Sequence, residues 1–294
     1  MQEFVIMTDS DTEIPYYFAD AHDLPVFLMP YTLNGEDRLF DLGRNTDYKG
    51  FYEKLREGAE ASTATRPPKD IQDFFEGIIK NNKDILYICF SSQLSSHYEL
   101  AEIAREEALK NYPNARIEII DSLGIAMGAG LLVYHAVKLQ EEGKSFDEIA
   151  GFVKSNRMRS LHFFSVDSLK YLQHTGRLSA VTATIGSILD LKPILTLTKK
   201  GKIVAFDKVK GRKKVVKYLA DLAAENYVDD DLCKELLVIC HGDNFEQAKA
   251  LEAEITGRLE FKNVWFLDIG PVIGCHCGPG VMAFLMMGKE RTVD

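Results

Sequence analysis

The chain has 294 residues, 46% of them hydrophobic and 27% charged, which is enough for one large domain or two ordinary ones. Its 44 acidic residues outnumber 35 basic ones, for a net charge of -9. That balance argues against a broad nucleic-acid footprint but leaves room for a local anion pocket. Five cysteines (Cys89, Cys233, Cys240, Cys275 and Cys277) are too few for a disulfide scaffold. The apolar runs are broken well short of a membrane span, and no basic-then-apolar leader opens the sequence. A cytoplasmic protein without stable membrane insertion is therefore expected.

In chain order, Phe4 to Met7, Val26 to Tyr31, Asp84 to Phe90 and Ala115 to Asp121 are short apolar runs that predict buried strands. Between them, Pro15 to His22, Tyr48 to Glu57, Lys69 to Lys80 and Ser95 to Asn111 carry helical patterns. Strands of this kind alternating with helices predict a parallel sheet covered on both faces. A long helix follows Ser122 and stops near Gly143. The next begins at Ser145, where Ser-Phe-Asp-Glu forms a capping box closed by Glu148. A boundary is placed near residue 158, giving an α/β/α domain over 1–158 and a mixed-sheet α/β domain over 159–294. The second half opens with a strand at Leu161 to Val166. It continues with a short helix, a loop QHTGRLS, a helix near Ala180 to Leu189, and a hairpin turning at Gly201. A helix from Arg212 to Asn226, strands at ELLVICHG and NVWFLDI, a helix from Phe245 to Thr256 and a last strand VMAFLMM complete the second domain.

Asp9 and Asp11 sit at the end of the first strand, in TDSDTE. Two carboxylates two residues apart after an apolar strand resemble the haloacid dehalogenase phosphatase signature. Against that reading, Thr12 comes one place too early and no late strand ends in paired aspartates; the plain alternative is a turn whose side chains bond backbone amides. The run GIAMGAG (Gly124 to Gly130) has its glycines in the wrong order for a dinucleotide fingerprint, so close helix packing is the better reading. Hydroxyls gather in SSQLSS (Ser91 to Ser96), ahead of a helix, and in ASTATRPPK (Ala61 to Lys69). Hydroxyls and free helix-start amides outline an anion site, or a simple cap. Arg177 offers a rigid fork for carboxylate or phosphate oxygens. In the stretch GPVIGCHCGPG, an extended backbone would place Cys275 and Cys277 on one side and His276 on the other. One metal ion could not then take all three, so no metal site is expected; two packed thiols and a projecting histidine are.

Seven segments in order (TDSDTEIP, STATRPPKDIQDFF, FSSQLSSHYELA, IIDSLGIAMGAG, LKYLQHTGRLS, LKPILTLTKKGKI and IGCHCGPGVMAF) resemble the DegV family over essentially the whole chain. That family includes the B subunit of bacterial fatty acid kinase. The resemblance implies a two-domain DegV-like α/β fold that binds a long-chain fatty acid in an inter-domain tunnel. Phe163, Phe164, Ile185, Ile188 and Leu189 are candidates for the tunnel wall, with core packing as the default for each. The carboxylate would be held by Thr63 and Ser95. Arg177 and His276 would support the acyl phosphate head or its transfer. Ser62, Thr65, Ser92, Ser96 and Gly278 are weaker pocket candidates. On this model no cofactor is needed. A separate dihydroxyacetone-kinase-like fatty acid kinase subunit supplies the ATP chemistry, and this chain is a lipid-binding acyl carrier with no independent catalysis. A carrier of another amphiphile without a kinase, or an Asp-dependent phosphatase, are the alternatives. The sequence departs from the family pattern at Thr63-Ala64-Thr65, which admits Thr65 in place of Thr63. It departs again at Ser96 and His97, at Thr175 and at the two cysteines.

Overall fold

The computed structural model describes residues 3–81, 83–178 and 191–294. In chain order they form β1 (Glu3–Asp9), α1 (Tyr16–Ala21), β2 (Val26–Phe27), β3 (Pro30–Leu33), β4 (Glu36–Leu39), α2 (Tyr48–Arg56), β5 (Ala61–Thr63), α3 (Pro68–Ile79), β6 (Lys83–Cys89), α4 (His97–Asn111), β7 (Ile117–Asp121), α5 (Ala126–Glu141) and α6 (Phe146–Asn156). There follow β8 (Ser160–Ser165), α7 (Lys170–His174), β9 (Leu191–Leu197), β10 (Ile203–Lys210), α8 (Arg212–Asn226), α9 (Asp231–Glu235), β11 (Leu236–His241), α10 (Phe245–Thr256), β12 (Asn263–Asp268), α11 (Pro271–Cys277) and β13 (Met282–Met287). The helix expected over Ala180 to Leu189 lies outside the described residues. Among the described residues no helix is long and apolar enough to cross a membrane.

The first sheet runs β2-β1-β6-β7 with every pair parallel. Its central strands are apolar on both faces because helices cover both, and the C-terminal ends of the strands therefore point toward one edge where loops gather. The second sheet runs β10-β9-β8-β13-β11-β12, antiparallel except for the β11–β12 pair. These are the α/β classes that the strand patterns predict, a parallel sheet and a mixed one.

A third sheet, β4-β3-β5, departs from the expectation of one strand over Val26 to Tyr31. The chain leaves the parallel sheet after Phe27 because the Met29 amide donates to Ser10 Oγ at 2.9 Å rather than to a neighbouring strand. Pro30 then starts a short antiparallel strand that pairs with β4 and β5.

Helix α5 joins the two halves. From Ala126 to Val137 it is buried on every side, because it packs against β1 and β6 of the first sheet and β8 and β13 of the second. An apolar helix without a polar face is what such a central position requires. Its GIAMGAG glycines serve packing: a Cβ on Gly128 would lie 2.0 Å from His162 Nε2. That imidazole accepts from the Ile125 amide at 3.1 Å and faces the Ser160 carbonyl through Nδ1, also at 3.1 Å. The capping box at Ser145 and Glu148 is present.

Candidate functional site

At the C-terminal ends of β1, β2 and β6 the first sheet faces α11, β10 and the turn after α7 across a cavity with about 680 Å³ of empty space, counted to its mouth. Met29, Phe90, Leu94, Ile125, Leu172 and Ile203 supply apolar wall, with Val272 and Ile273 from α11. Thr63, Thr65, Ser95, Ser96, Arg177 and His276 supply polar groups. Six of the nine residues singled out in the sequence thus meet in one place, although they come from four separate stretches of chain.

Each arrives by a local device. Thr63 ends β5, where strand alternation turns it inward and leaves Ser62 exposed on the opposite face. Ser95 Oγ accepts from the amide of His97, the first residue of α4, at 3.2 Å and so sits beside the start of that helix. The positive end of that helix points at the cavity. Arg177 follows Gly176, whose positive φ of 70° ends the turn after α7. The guanidinium is tied down by Nε donating to the Leu94 carbonyl at 3.3 Å and Nη1 donating to the Thr175 carbonyl.

The extended geometry expected around Cys275-His276-Cys277 is not what forms. Gly270 caps and Pro271 opens a short helix, α11, that continues through Cys277. Proline at the first helical position has no amide to leave unsatisfied, so it favours this start. Successive side chains then fan out by about 100° rather than alternating. His276 still reaches the cavity, and its Nε2 lies 2.9 Å from Thr63 Oγ1 in a hydrogen bond. Cys275 Sγ instead points toward the Ser62 carbonyl at 3.7 Å, and Cys277 is buried. Burial pushes both thiols up to about 12, so they stay protonated.

Burial, with a smaller push from the Arg177 charge, brings His276 down to about 4. The imidazole is thus neutral at physiological pH, and its Nδ1 is buried with no hydrogen-bond partner among the described residues. A neutral histidine, a threonine hydroxyl, a helix start and a guanidinium are groups of the kind that can hold an anionic oxygen group.

The weaker candidates divide. Thr65 and Ser96 are in the lining. Ser62 lines a shallower groove on the outer side of β5. The Ser92 amide donates to Asp121 Oδ1 at 3.3 Å, its hydroxyl accepts from Gln93 Nε2, also at 3.3 Å, and the residue is not in the lining. Gly278 supports the site from behind, since its φ is 70° and a Cβ there would strike the Tyr171 ring at 2.3 Å. Phe163 and Phe164 are core residues outside the cavity; Phe163 stacks on Phe284. Ile185, Ile188 and Leu189 lie outside the described residues.

The N-terminal aspartates have distinct roles. Asp9 is fully buried and saturated: Oδ1 accepts from the Asp11 amide at 3.1 Å, and Oδ2 accepts from Tyr87 Oη at 2.9 Å and from the Phe90 amide at 3.1 Å. It is a structural fastener between β1 and β6, as the turn reading of TDSDTE expects, and offers no free carboxylate for attack on phosphorus. Asp11 does line the cavity, and sequence reasoning gave it no part in the lipid site. Its signal was present, a second carboxylate at a strand end, but nothing in the spacing told which of the two faces inward.

Fold and site define the class: an α/β protein of one parallel and one mixed sheet, with an amphipathic cavity at the strand ends. The chain belongs to the DegV family, whose model, described as an uncharacterised protein family, matches residues 3–289. A DegV domain-containing protein of Clostridium perfringens is 36% identical to it over 99% of each chain. Among solved structures, a DegV family protein from Thermus thermophilus described by its fatty acid binding superposes with a TM-score of 0.84 at 25% identity, covering 98% of this chain and 100% of that one. DegV of Bacillus subtilis, described as a fatty acid binding protein, gives a TM-score of 0.82 at 25% identity with the same coverage.

Proposed function

We propose that this chain binds a long-chain fatty acid, with its carboxylate at Thr63, Ser95, Arg177 and His276 and its acyl chain along the apolar wall. One observation carries the reading: Thr63 and His276 are hydrogen-bonded to each other and share a cavity with Ser95 and Arg177, and the rest of its wall, Asp11 aside, is mainly aliphatic and aromatic. The relatives described as fatty-acid-binding support it. Burying each CH₂ contributes roughly 0.8 kcal/mol, so a chain of about 14 to 18 carbons gains on the order of 10 kcal/mol before association costs. Micromolar or tighter binding needs no covalent step.

Arg177 and His276 also suit the greater charge of an acyl phosphate. On this reading the chain presents the carboxylate to a separate ATP-dependent kinase subunit of the cytoplasm and has no catalysis of its own. The halves on either side of residue 158 act as two domains closing on the ligand.

Native mass spectrometry of protein purified without detergent tests the core of the proposal. A co-purified fatty acid is expected, and Thr63→Ala and Ser95→Ala should each weaken binding by about ten-fold. An empty protein that also fails to take up added fatty acid overturns it; another bound amphiphile replaces the ligand class. With a cognate kinase and ATP, His276→Ala is expected to lower turnover more than binding.

A further inference from the structure

Asp11 brings a carboxyl group to the lining of the cavity, and an alkyl chain has nothing to offer it. The residue is 4% exposed and its Oδ1 is buried with no hydrogen-bond partner among the described residues. It occupies a 3-10 turn, Ser10–Thr12, that follows β1.

The turn is held on all sides. Asp9 Oδ1 takes the Asp11 amide, Thr12 Oγ1 donates to the Asp9 carbonyl at 2.8 Å, and Ser10 Oγ takes the Met29 amide. Helix α5 lies so close that a Cβ on Gly130 would be 2.7 Å from the Thr12 carbonyl. The backbone that carries the carboxyl is thus preorganised, and Met29 and Phe90 share the cavity lining with it. Asp11 makes no hydrogen bond to Thr63 or His276, which bond each other.

Burial, then Asp9, raises the Asp11 pKa well above its ordinary value. That direction favours the protonated carboxyl, which is a donor as well as an acceptor. A buried polar group without a partner is costly, and a ligand that completes its hydrogen bonds is favoured over one that covers it with methylenes.

We propose that Asp11 is a specificity-determining residue that selects acyl chains bearing a hydroxyl group along the chain over unsubstituted chains. The hydroxyl would both accept from and donate to the Asp11 carboxyl while the head group stays at Thr63 and His276. The inference rests on the fatty-acid reading above and adds the substrate class.

Competition binding with octadecanoic acid and a set of its positional hydroxy isomers tests it, on wild type, Asp11→Asn and Asp11→Leu. At one or two positions the hydroxy acid should bind wild type about ten-fold more tightly than octadecanoic acid, or better. Asparagine keeps a hydrogen-bonding group and should retain part of that preference. Leucine should bring the affinity ratio to about one. Thermal unfolding shows whether Asp11→Leu folds; if it does not, the wild-type and asparagine ratios still decide. A set of isomers none of which exceeds octadecanoic acid overturns the proposal, with a buried water as the partner of Asp11, and so does a preference that survives in Asp11→Leu. If no acid of the set binds at all, the fatty-acid reading itself fails, which separates the two outcomes.

Discussion

His276 shows how a single side chain can be tuned by where it is put. Its Nε2 is engaged by Thr63 and its Nδ1 is enclosed. Protonation would then put a charge in a desolvated place with Arg177 nearby, and both effects act against the charged form. The ring is expected to stay neutral in the ligand-free protein down to about pH 4. Histidine-selective NMR titration reads this directly. Because burial is the larger cause, Arg177→Met should raise the His276 pKa only part of the way back. A wild-type value near 6.5, or a variant that recovers it in full, would show that the ring is not enclosed as described. The four main candidates stand out in the sequence because they belong to motifs, and the fold brings them to one cavity. Asp11 was not legible as a lining residue, because its significance depends on the direction of one side chain in a turn. Ser62 and Thr63 make the same point: adjacent hydroxyls with equal claims in the sequence are separated by strand alternation alone.

At the scale of elements, helix α5 and its glycines can be tested against a built-in control. Gly128→Ala would push a methyl group into the His162 ring, which is held by hydrogen bonds on both nitrogens. Overpacking of this kind costs roughly 1–3 kcal/mol and outweighs the helix-propensity gain of about 1 kcal/mol. Gly151, in α6, has nothing within 4 Å of an added Cβ. There Gly151→Ala should stabilise by about 0.5–1 kcal/mol. Urea unfolding of both variants checks the pair, and equal effects of the two substitutions would contradict the packing role assigned to Gly128.

Elements with long periodic patterns were readable from sequence for the same reason that they are stable: each buries one continuous apolar set. The failures are short elements. β4 and β5 are four and three residues long and largely polar, so their pairing comes from tertiary context. Helix α11 reads as extended chain in the sequence because seven residues between glycines give a helical pattern no room to declare itself, and Pro271 is its one helix-start signal.

For the whole molecule, the question is whether the halves are independent. Several features say they are not. One apolar cluster runs from Ile6 and Met7 in β1 through Leu131 and Leu132 in α5 to Val238 and Leu285 in the second sheet. Hydrogen bonds cross at more than one place: Tyr52 Oη donates to the Ile269 carbonyl at 2.9 Å, and Tyr134 Oη donates to Glu235 Oε1 at 3.0 Å. Near the end of the chain, the buried Arg291 donates to the Leu123 carbonyl at 2.8 Å and the Thr198 carbonyl at 3.2 Å, joining the loop before α5 to the β9–β10 hairpin. A cavity walled by both halves needs such coupling if its polar cluster, with Thr63 on one side and His276 and Arg177 on the other, is to hold its geometry without ligand. The single tryptophan reports on the junction. Trp265 belongs to β12, yet its ring centroid lies 5.6 Å from that of Phe18 and 5.4 Å from that of Tyr134, both from the first half. Its fluorescence should therefore change when the halves part, whereas far-UV circular dichroism follows the helices of both. One continuous core predicts that the two signals share a midpoint in thermal and urea unfolding. A ligand bound between the halves should move both midpoints upward together, because it stabilises only the closed, folded form. Tryptophan fluorescence that changes well before the circular dichroism would mean that the halves separate while still folded.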